Sequence, residues 1–438
     1  MAARKRYAVV GTGSRSAMYT HALMGDFSTY GELVAFCDIN PARMAYANEE
    51  LGKQFGAGKL PSYAPADFER MIKENKVDVV IVTSIDRTHH RYAIRAMEAG
   101  CDVISEKPMT VDENKCAALF DAIARTGRKM RVTFNYRYSP HNSRVKELLA
   151  QGAIGEVKSV HFEWLLDTRH GADYFRRWHR DKRNSGGLLV HKATHHFDLV
   201  NWWLDAAPSI VYAQGGLVFY GRENAEERGV SEFYDRGTGR PKAAKDPFAL
   251  DLSKDANLKG LYLDAEVEDG YRRDQSVFSD CISIEDDMSV IVRYESGAMM
   301  SYHLTAYSPW EGYRIAFNGT KGRLEYDVSD ASYVSGSDQD QNRPDIRDSR
   351  ELKIEGGARI LVRPLWGAPI EVDVKESGEG GHGGGDVRLL SDIFVGDQAD
   401  PLGRAADHRA GAASILVGIA ANKSIATGMP VRIRDIRP

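Results

Sequence analysis

Cysteine is scarce. Cys37, Cys101, Cys116 and Cys281 are the only four in 438 residues, and none forms a CxxC pair. That excludes a disulfide framework or a thiolate zinc knuckle and predicts reduced, buried thiols. Positive charge is not in excess. A net charge of −4 argues against a broad nucleic-acid surface. No apolar run approaches the ~18 residues of a membrane helix. The basic start, residues 1–6, leads into a strand rather than a secretory core and cleavage site. These absences predict a cytoplasmic protein with no membrane or nucleic-acid partner. Hydrophobic and charged contents of 42% and 27% are those of a globular chain, and the length suits about two domains.

Residues 6–10, Arg-Tyr-Ala-Val-Val, read as a buried parallel strand, and the turn Gly11-Thr12-Gly13-Ser14-Arg15-Ser16 then opens a helix. Strand, Gly-x-Gly turn and helix are the context of a dinucleotide fingerprint. Gly11 permits the tight turn. Gly13 lets backbone amides approach a pyrophosphate at a helix N-terminus, and Ser16 takes the third small position. The second strand, residues 33–37, ends at Asp38, 25 residues beyond Gly13. A carboxylate there accepts from both ribose hydroxyls and repels a 2′-phosphate, which favours NAD over NADP. Arg43 points the other way and is read as a solvated helix residue.

Strands and helices alternate onward. Helices are predicted over 41–55, 65–75 and 88–99, and from a Thr110…Glu113 capping box to Gly127; strands over 77–83, 102–105 and 130–134. This predicts a doubly wound parallel sheet, a Rossmann domain over residues 1–135. Ser84, Asp86, Glu106, Lys107 and Asn135 fall at carboxyl ends of strands, where such sheets bind ligands, so they share one crevice.

Residues 136–438 read differently. A helix over 141–150 and a strand over 157–165 precede a stretch, 171–185, rich in Arg, Trp and His. Arg177, Trp178 and His179 there offer donors and flat rings to a hydroxyl-rich substrate; a solvated basic loop is the alternative. Residues 187–204 read as one helix, with His191, His195, Asp198 and Trp202 on one face. His191 and His195 have the spacing of a metal pair, but no HExxH pattern or third ligand accompanies them, and no metal is assigned. Hairpins over 288–305, 313–328 and 359–374 predict a large, mainly antiparallel sheet. The fold class is therefore α/β: the Rossmann sheet plus a C-terminal α+β domain. Residues 220–280 are a polar insertion, a lid or a solvated excursion. A glycine-rich stretch holding His382 and Asp386 precedes a helix, and a last helix spans 407–426, stopped by Gly428.

The Gly-rich turn, Asp38, the 84–89 stretch, Ser105-Glu106-Lys107-Pro108 and Phe134-Asn135-Tyr136-Arg137-Tyr138 resemble the Gfo/Idh/MocA oxidoreductases over the whole first domain. The resemblance implies that Ser84, His89, Glu106, Lys107 and Asn135 join Gly11 to Ser16 and Asp38 at the cofactor. It places Lys107 between nicotinamide and substrate. His195 matches the family's histidine that contacts the reacting hydroxyl, the implied general base. Two departures stand out. Ile85-Asp86 replace a usual Pro-Asn, and His191 replaces an Asp, with Lys192 beside it. Tyr136, Arg177, Trp178, His179 and Lys192 complete the substrate side with Lys107 and His195, and His191 joins the catalytic set. The implied activity is NAD-dependent hydride transfer at a secondary hydroxyl of a sugar, polyol or glycoside, in a homodimer or homotetramer. The His382–Asp386 stretch resembles one in the NAD-using family 109 glycoside hydrolases, so the alternative is a glycosidase or lyase working by transient C3 oxidation and elimination. A non-catalytic dinucleotide sensor is a third reading, against which Lys107 and His195 both weigh.

Overall fold

Short runs of β-branched residues, apolar at successive positions, suit strands buried on both faces. In the computed structural model, residues 4–336, 357–374, 384–396 and 399–437 are described. Strands β1 (Lys5–Val10), β2 (Gly31–Cys37), β3 (Ser62–Tyr63), β4 (Val79–Val82), β5 (Asp102–Ser105) and β6 (Met130–Val132) form one parallel sheet, ordered β3-β2-β1-β4-β5-β6. The order reverses between β1 and β4, and the Gly-rich turn leaves β1 at that switch point. Asn40 caps the helix Pro41–Phe55, and Gly56 ends it at φ 67°. The helix Glu113–Thr126 is capped by Asp112 through the Lys115 amide, not by Thr110 of the expected box. The helix begins at residue 113, so 112 is the cap position, and its carboxylate fills it.

The second sheet has nine strands: β7 (Val157–Asp167), β8 (Pro208–Gly216), β9 (Asp287–Tyr294), β10 (Met299–Ser308), β11 (Glu311–Gly319), β12 (Gly322–Ala331), β13 (Gly357–Pro364), β14 (Ile370–Val372) and β15 (Val431–Arg432). Their order is β14-β13-β12-β11-β7-β10-β9-β8-β15, antiparallel except where β7 meets β10. Met288, Val290, Val292 and Tyr294 of β9 point to the core while Ile291 faces outward. The inner face carries the helices Pro140–Ala150, Thr194–Leu204 and His408–Thr427. By length and composition alone the last could cross a membrane, contrary to the sequence reading. Here it is a core helix: Ile415, Leu416, Val417 and Ile419 are buried, and a Cβ on Gly418 would lie 2.2 Å from the Leu189 carbonyl oxygen.

The predicted helix 187–204 is interrupted. Leu188–His191 and Thr194–Leu204 are separate helices. The Ala193 amide reaches back to the Leu188 carbonyl at 2.8 Å and the His195 amide only to Lys192 at 3.3 Å, so the regular ladder breaks between them. The turn swings His191 and His195 toward different neighbours. Asp198 and Trp202, placed with them on one predicted face, serve packing: Trp202 Nε1 donates to the Leu402 carbonyl, and Asp198 accepts two bonds from Arg137. Cys37, Cys101 and Cys116 are buried, but Cys281 is exposed in the insertion, against the expectation for all four thiols. The glycine-rich stretch leads into Gly385–Phe394, whose Leu390 and Phe394 pack on Tyr7 and Phe27 of the first domain. His382 lies outside the described residues.

The Arg137–Asp198 pair ties the connection after β6 to the second domain. Its bonds are 2.7 and 2.6 Å, and the side chains are 7% and 2% exposed. Asp198→Ala strands a buried guanidinium and should lower unfolding free energy by about 3–5 kcal/mol in urea denaturation. A loss below ~1 kcal/mol would show that the pair does not hold this junction.

Candidate active site

The Gly-rich turn is built to be approached. Gly11 has φ 90°, and a Cβ there would lie 2.5 Å from the Ser84 amide nitrogen, so only glycine fits between β1 and the end of β4. Gly13 is open: the nearest atom to a Cβ on it is the Tyr262 hydroxyl at 3.8 Å. Ser16 Oγ donates to the Gly13 carbonyl at 2.7 Å and fixes the turn. Asp38 accepts from the Thr12 amide and hydroxyl at 2.6 and 3.0 Å and from the Asn40 amide at 2.8 Å. It therefore braces the turn from the position expected of a ribose-binding acid. The cradle fits a dinucleotide, with Gly11 to Ser16 at the phosphates and Asp38 at the ribose.

Several other cofactor expectations resolve into struts. Glu106 is buried and accepts from Arg15 at 2.6 Å and from Tyr19 at 2.7 Å, joining the turn to the Glu-Lys-Pro element. Burial pushes its carboxyl up, but Arg15 and Tyr19 outweigh that and hold it below the usual range. His89 is held at the same place by both ring nitrogens, each 2.8 Å from a carbonyl, of Pro108 and of Ser84. Ser84 Oγ bonds Thr88 Oγ1 at 2.8 Å. Asn135 donates to Asp386 at 2.6 Å, so the start of the helix Gly385–Phe394 meets the cofactor domain. Arg43 is not solvated: it is buried and paired with Asp269 of the insertion at 2.8 Å.

Lys107 and His191 meet across the domains. Lys107 Nζ donates to the His191 carbonyl at 3.2 Å, and His191 Nδ1 lies 2.5 Å from Asp86 Oδ2. Sequence reasoning put Asp86 in the crevice but gave it no role there. The signal was present in the two departures taken together, a carboxylate gained at 86 and one lost at 191. Burial pushes the His191 imidazole well below its ordinary pKa, and Lys107, Arg177 and Lys192 add to this. Burial pushes Asp86 up, opposed by Lys107 and Arg177. The imidazole is thus neutral at physiological pH. When Asp86 is ionised, Nδ1–H donates to it and Nε2 carries the lone pair, so the charge on Asp86 sets the tautomer.

The predicted substrate residues fall into two clusters, one of which touches His191. Trp178 stacks on His179 with centroids 3.6 Å apart, His179 meets the His191 ring edge-on at 4.2 Å, and Tyr174 lies 5.5 Å from His191. Arg177 pairs with Asp173 at 3.0 Å, and Arg273 joins Asp173 from the insertion at 2.6 Å. On the other side His195 lies 4.7 Å from the Tyr136 ring, and Lys192 Nζ sits over Trp164 at 4.8 Å. His191 and His195 do not converge with a further His, Cys, Asp or Glu as a metal set among the described residues.

Fold and site together define an NAD(P)-binding two-domain oxidoreductase. Residues 5–134 match the family model described as the oxidoreductase family NAD-binding Rossmann fold, and residues 146–433 the one described as the oxidoreductase family C-terminal alpha/beta domain. The chain belongs to the Gfo/Idh/MocA oxidoreductase family. It is 36% identical over 445 residues to YteT of Bacillus subtilis (strain 168), which carries an oxidoreductase name, covering 99% of this chain and 98% of that one. It is 29% identical over 193 residues to the D-glucoside 3-dehydrogenase of Escherichia coli (strain K12), covering 44% and 52% of the two chains. Among solved structures, an aldose–aldose oxidoreductase from Caulobacter crescentus complexed with glycerol shares the fold with TM-score 0.62, 18% identity and coverage of 98% and 100%.

Burial lowers Lys107 from 10.5 to about 8, against the pull of Asp86 and Glu106. The folded chain gives up this proton near pH 8 and the unfolded chain near 10.5, so between those values the unfolded state binds more protons. Stability contributed by this group therefore rises with pH across that window. The Lys107 ¹³Cε resonance should titrate with a midpoint near 8, and lower still in Asp86→Asn, which removes the supporting anion. A midpoint shared with the surface lysines would refute the burial account.

Proposed function

We propose that the protein is an NAD-dependent dehydrogenase acting on a secondary hydroxyl of a sugar, polyol or glycoside. The observation that carries this is the meeting of Lys107 with the Asp86–His191 pair, at 3.2 and 2.5 Å, at the mouth of the Rossmann crevice. Relatives named for inositol, levoglucosan and D-glucoside oxidation support the substrate class. The Asp38 carboxylate supports NAD over NADP. When bound, the nicotinamide supplies the hydride chemistry. Lys107 donates to the reacting oxygen and stabilises negative charge developing there. His191 Nε2 takes the hydroxyl proton, its ring held by Asp86 in the manner of a carboxylate-oriented base. His195, one turn along against Tyr136, is the rival base. Trp178 and Tyr136 offer flat faces to the sugar, and Arg177, His179 and Lys192 offer polar groups.

Asp386 favours a second reading, since this residue of the His382–Asp386 motif is bonded to Asn135 of the cofactor domain. Oxidation at C3 acidifies the C2 proton, the glycosidic bond leaves by elimination, and reduction of the product closes a cycle without net redox. We also place a second copy of the chain on the open face of the nine-stranded sheet, where Ile291 and Met299 are 53% and 55% exposed.

Lys107→Met and His191→Asn should each lower kcat/KM at least ~100-fold with little change in melting temperature. His195→Asn doing so while His191→Asn does not would transfer the base to His195. A panel of glycosides and free sugars, followed for reduced nicotinamide and released aglycone together, tests the reaction itself. NADH accumulating with turnover is expected; aglycone without NADH, with solvent deuterium at C2, would establish the second reading. Sedimentation should show a dimer or tetramer, and a single species of monomer mass would remove the subunit contact.

A further inference from the structure

The insertion between β8 and β9 does not project into solvent. Its segment 250–271 has a small apolar core of Leu250, Leu252, Leu258, Leu261 and Tyr262 and lies on the helix that follows Asp38. The fit there is close. A Cβ on Gly260 would be 2.2 Å from the Tyr46 ring, Asn40 Nδ2 donates to the Ala265 carbonyl at 2.9 Å, and Tyr46 donates to Asn257 at 3.0 Å. Two contacts reach the cofactor cradle itself. The Ser14 amide donates to the Tyr262 hydroxyl at 3.1 Å. Ser14 belongs to the turn whose amides serve a dinucleotide's diphosphate, so the hydroxyl stands beside where an anionic oxygen is held. Arg43, five residues beyond Asp38, lies against the edge-on pair of Tyr262 and Tyr271 rings, 5.8 and 5.5 Å from their centroids, and is paired with Asp269. An unpaired arginine so close to the ribose acid would attract a 2′-phosphate.

We infer that segment 250–271 is the outer wall of the dinucleotide site, with Tyr262 holding the diphosphate beside the Ser14 amide and Asp269 neutralising Arg43 so that the ribose end selects a free 2′-hydroxyl. The inference rests on the NAD reading above and assigns it residues outside the Rossmann domain. A phenol is donor and acceptor. With an anion present, the Tyr262 O–H turns to donate to it, and the Ser14 amide is freed to do the same. The wall also reaches the substrate side. Arg273 lies over Tyr262 at 5.7 Å and grips Asp173, the partner of Arg177.

The full-length protein should be titrated with NADH and NADPH by nucleotide fluorescence, with release rates from stopped flow. Tyr262→Phe should release NADH about ten-fold faster, the effect of one lost hydrogen bond to a charged group. Asp269→Asn should tighten NADPH binding several-fold and change NADH binding little. Hydrogen exchange over 250–271 in the unaltered protein should slow when NADH is added, a readout that does not depend on how the variants fold. Unchanged exchange, or NADH release from Tyr262→Phe at the wild-type rate, overturns the wall. Tighter NADH binding by Tyr262→Phe would show instead that the hydroxyl obstructs the amide, and also overturns it. An unchanged NADPH to NADH ratio in Asp269→Asn overturns the role of Asp269. Wild-type protein binding neither nucleotide would remove the NAD reading itself, and the wall with it.

Discussion

The bond between Asp86 and His191 is the contact on which the candidate site depends. One partner stands just beyond the carboxyl end of a parallel strand, the other at the end of a four-residue helix in the second domain. At 2.5 Å and largely buried, it fixes the distance between the domains at the candidate site. Lys107 is drawn into the same junction through the His191 carbonyl. The helix break at 192–193 follows from this geometry, for His191 must face the Rossmann sheet while Asp198, two turns on, faces Arg137.

The two departures from the family pattern are complementary. A carboxylate at position 191 would meet another carboxylate at 86 in a buried place, and two such charges at hydrogen-bonding distance cannot both stay ionised. An imidazole opposite Asp86 removes the conflict and supports the carboxylate-oriented base proposed above. The carboxylate gained at 86 without the imidazole at 191 would restore that conflict, so the two changes belong together.

What was legible in the sequence was local. The strand boundaries at 102–105, the Asn40–Pro41 start and the Gly56 and Gly428 stops follow from pattern and cap chemistry within a few residues. The parallel sheet follows from their alternation. What was not legible joins distant parts of the chain. Asp86 and His191 are 105 residues apart, and Arg43 and Asp269 are 226 apart. Nothing in the neighbourhood of Arg43 distinguishes an arginine in water from one buried under an insertion. The helix break left no local mark either, for residues 188–195 hold no glycine or proline and the interruption comes from tertiary demands on the two histidines.

The charge arrangement bears on what the site can accept. Arg15 is paired with Glu106, Arg177 with Asp173, and Asp86 supports the cation on Lys107. Lys192 lies over the faces of Trp164 and Tyr136, where the ring quadrupoles stabilise it. Each of these four cations is thus opposed by a carboxylate or an aromatic face inside the protein. An anionic substrate would have to displace one of these partnerships and leave a buried carboxylate unmatched, at a cost of several kcal/mol. An uncharged polyol makes no such demand. Its hydroxyls bond without a net charge to be balanced, and its apolar ring faces suit Trp178 and Tyr136. The electrostatics therefore fit the neutral, hydroxyl-bearing substrate proposed above.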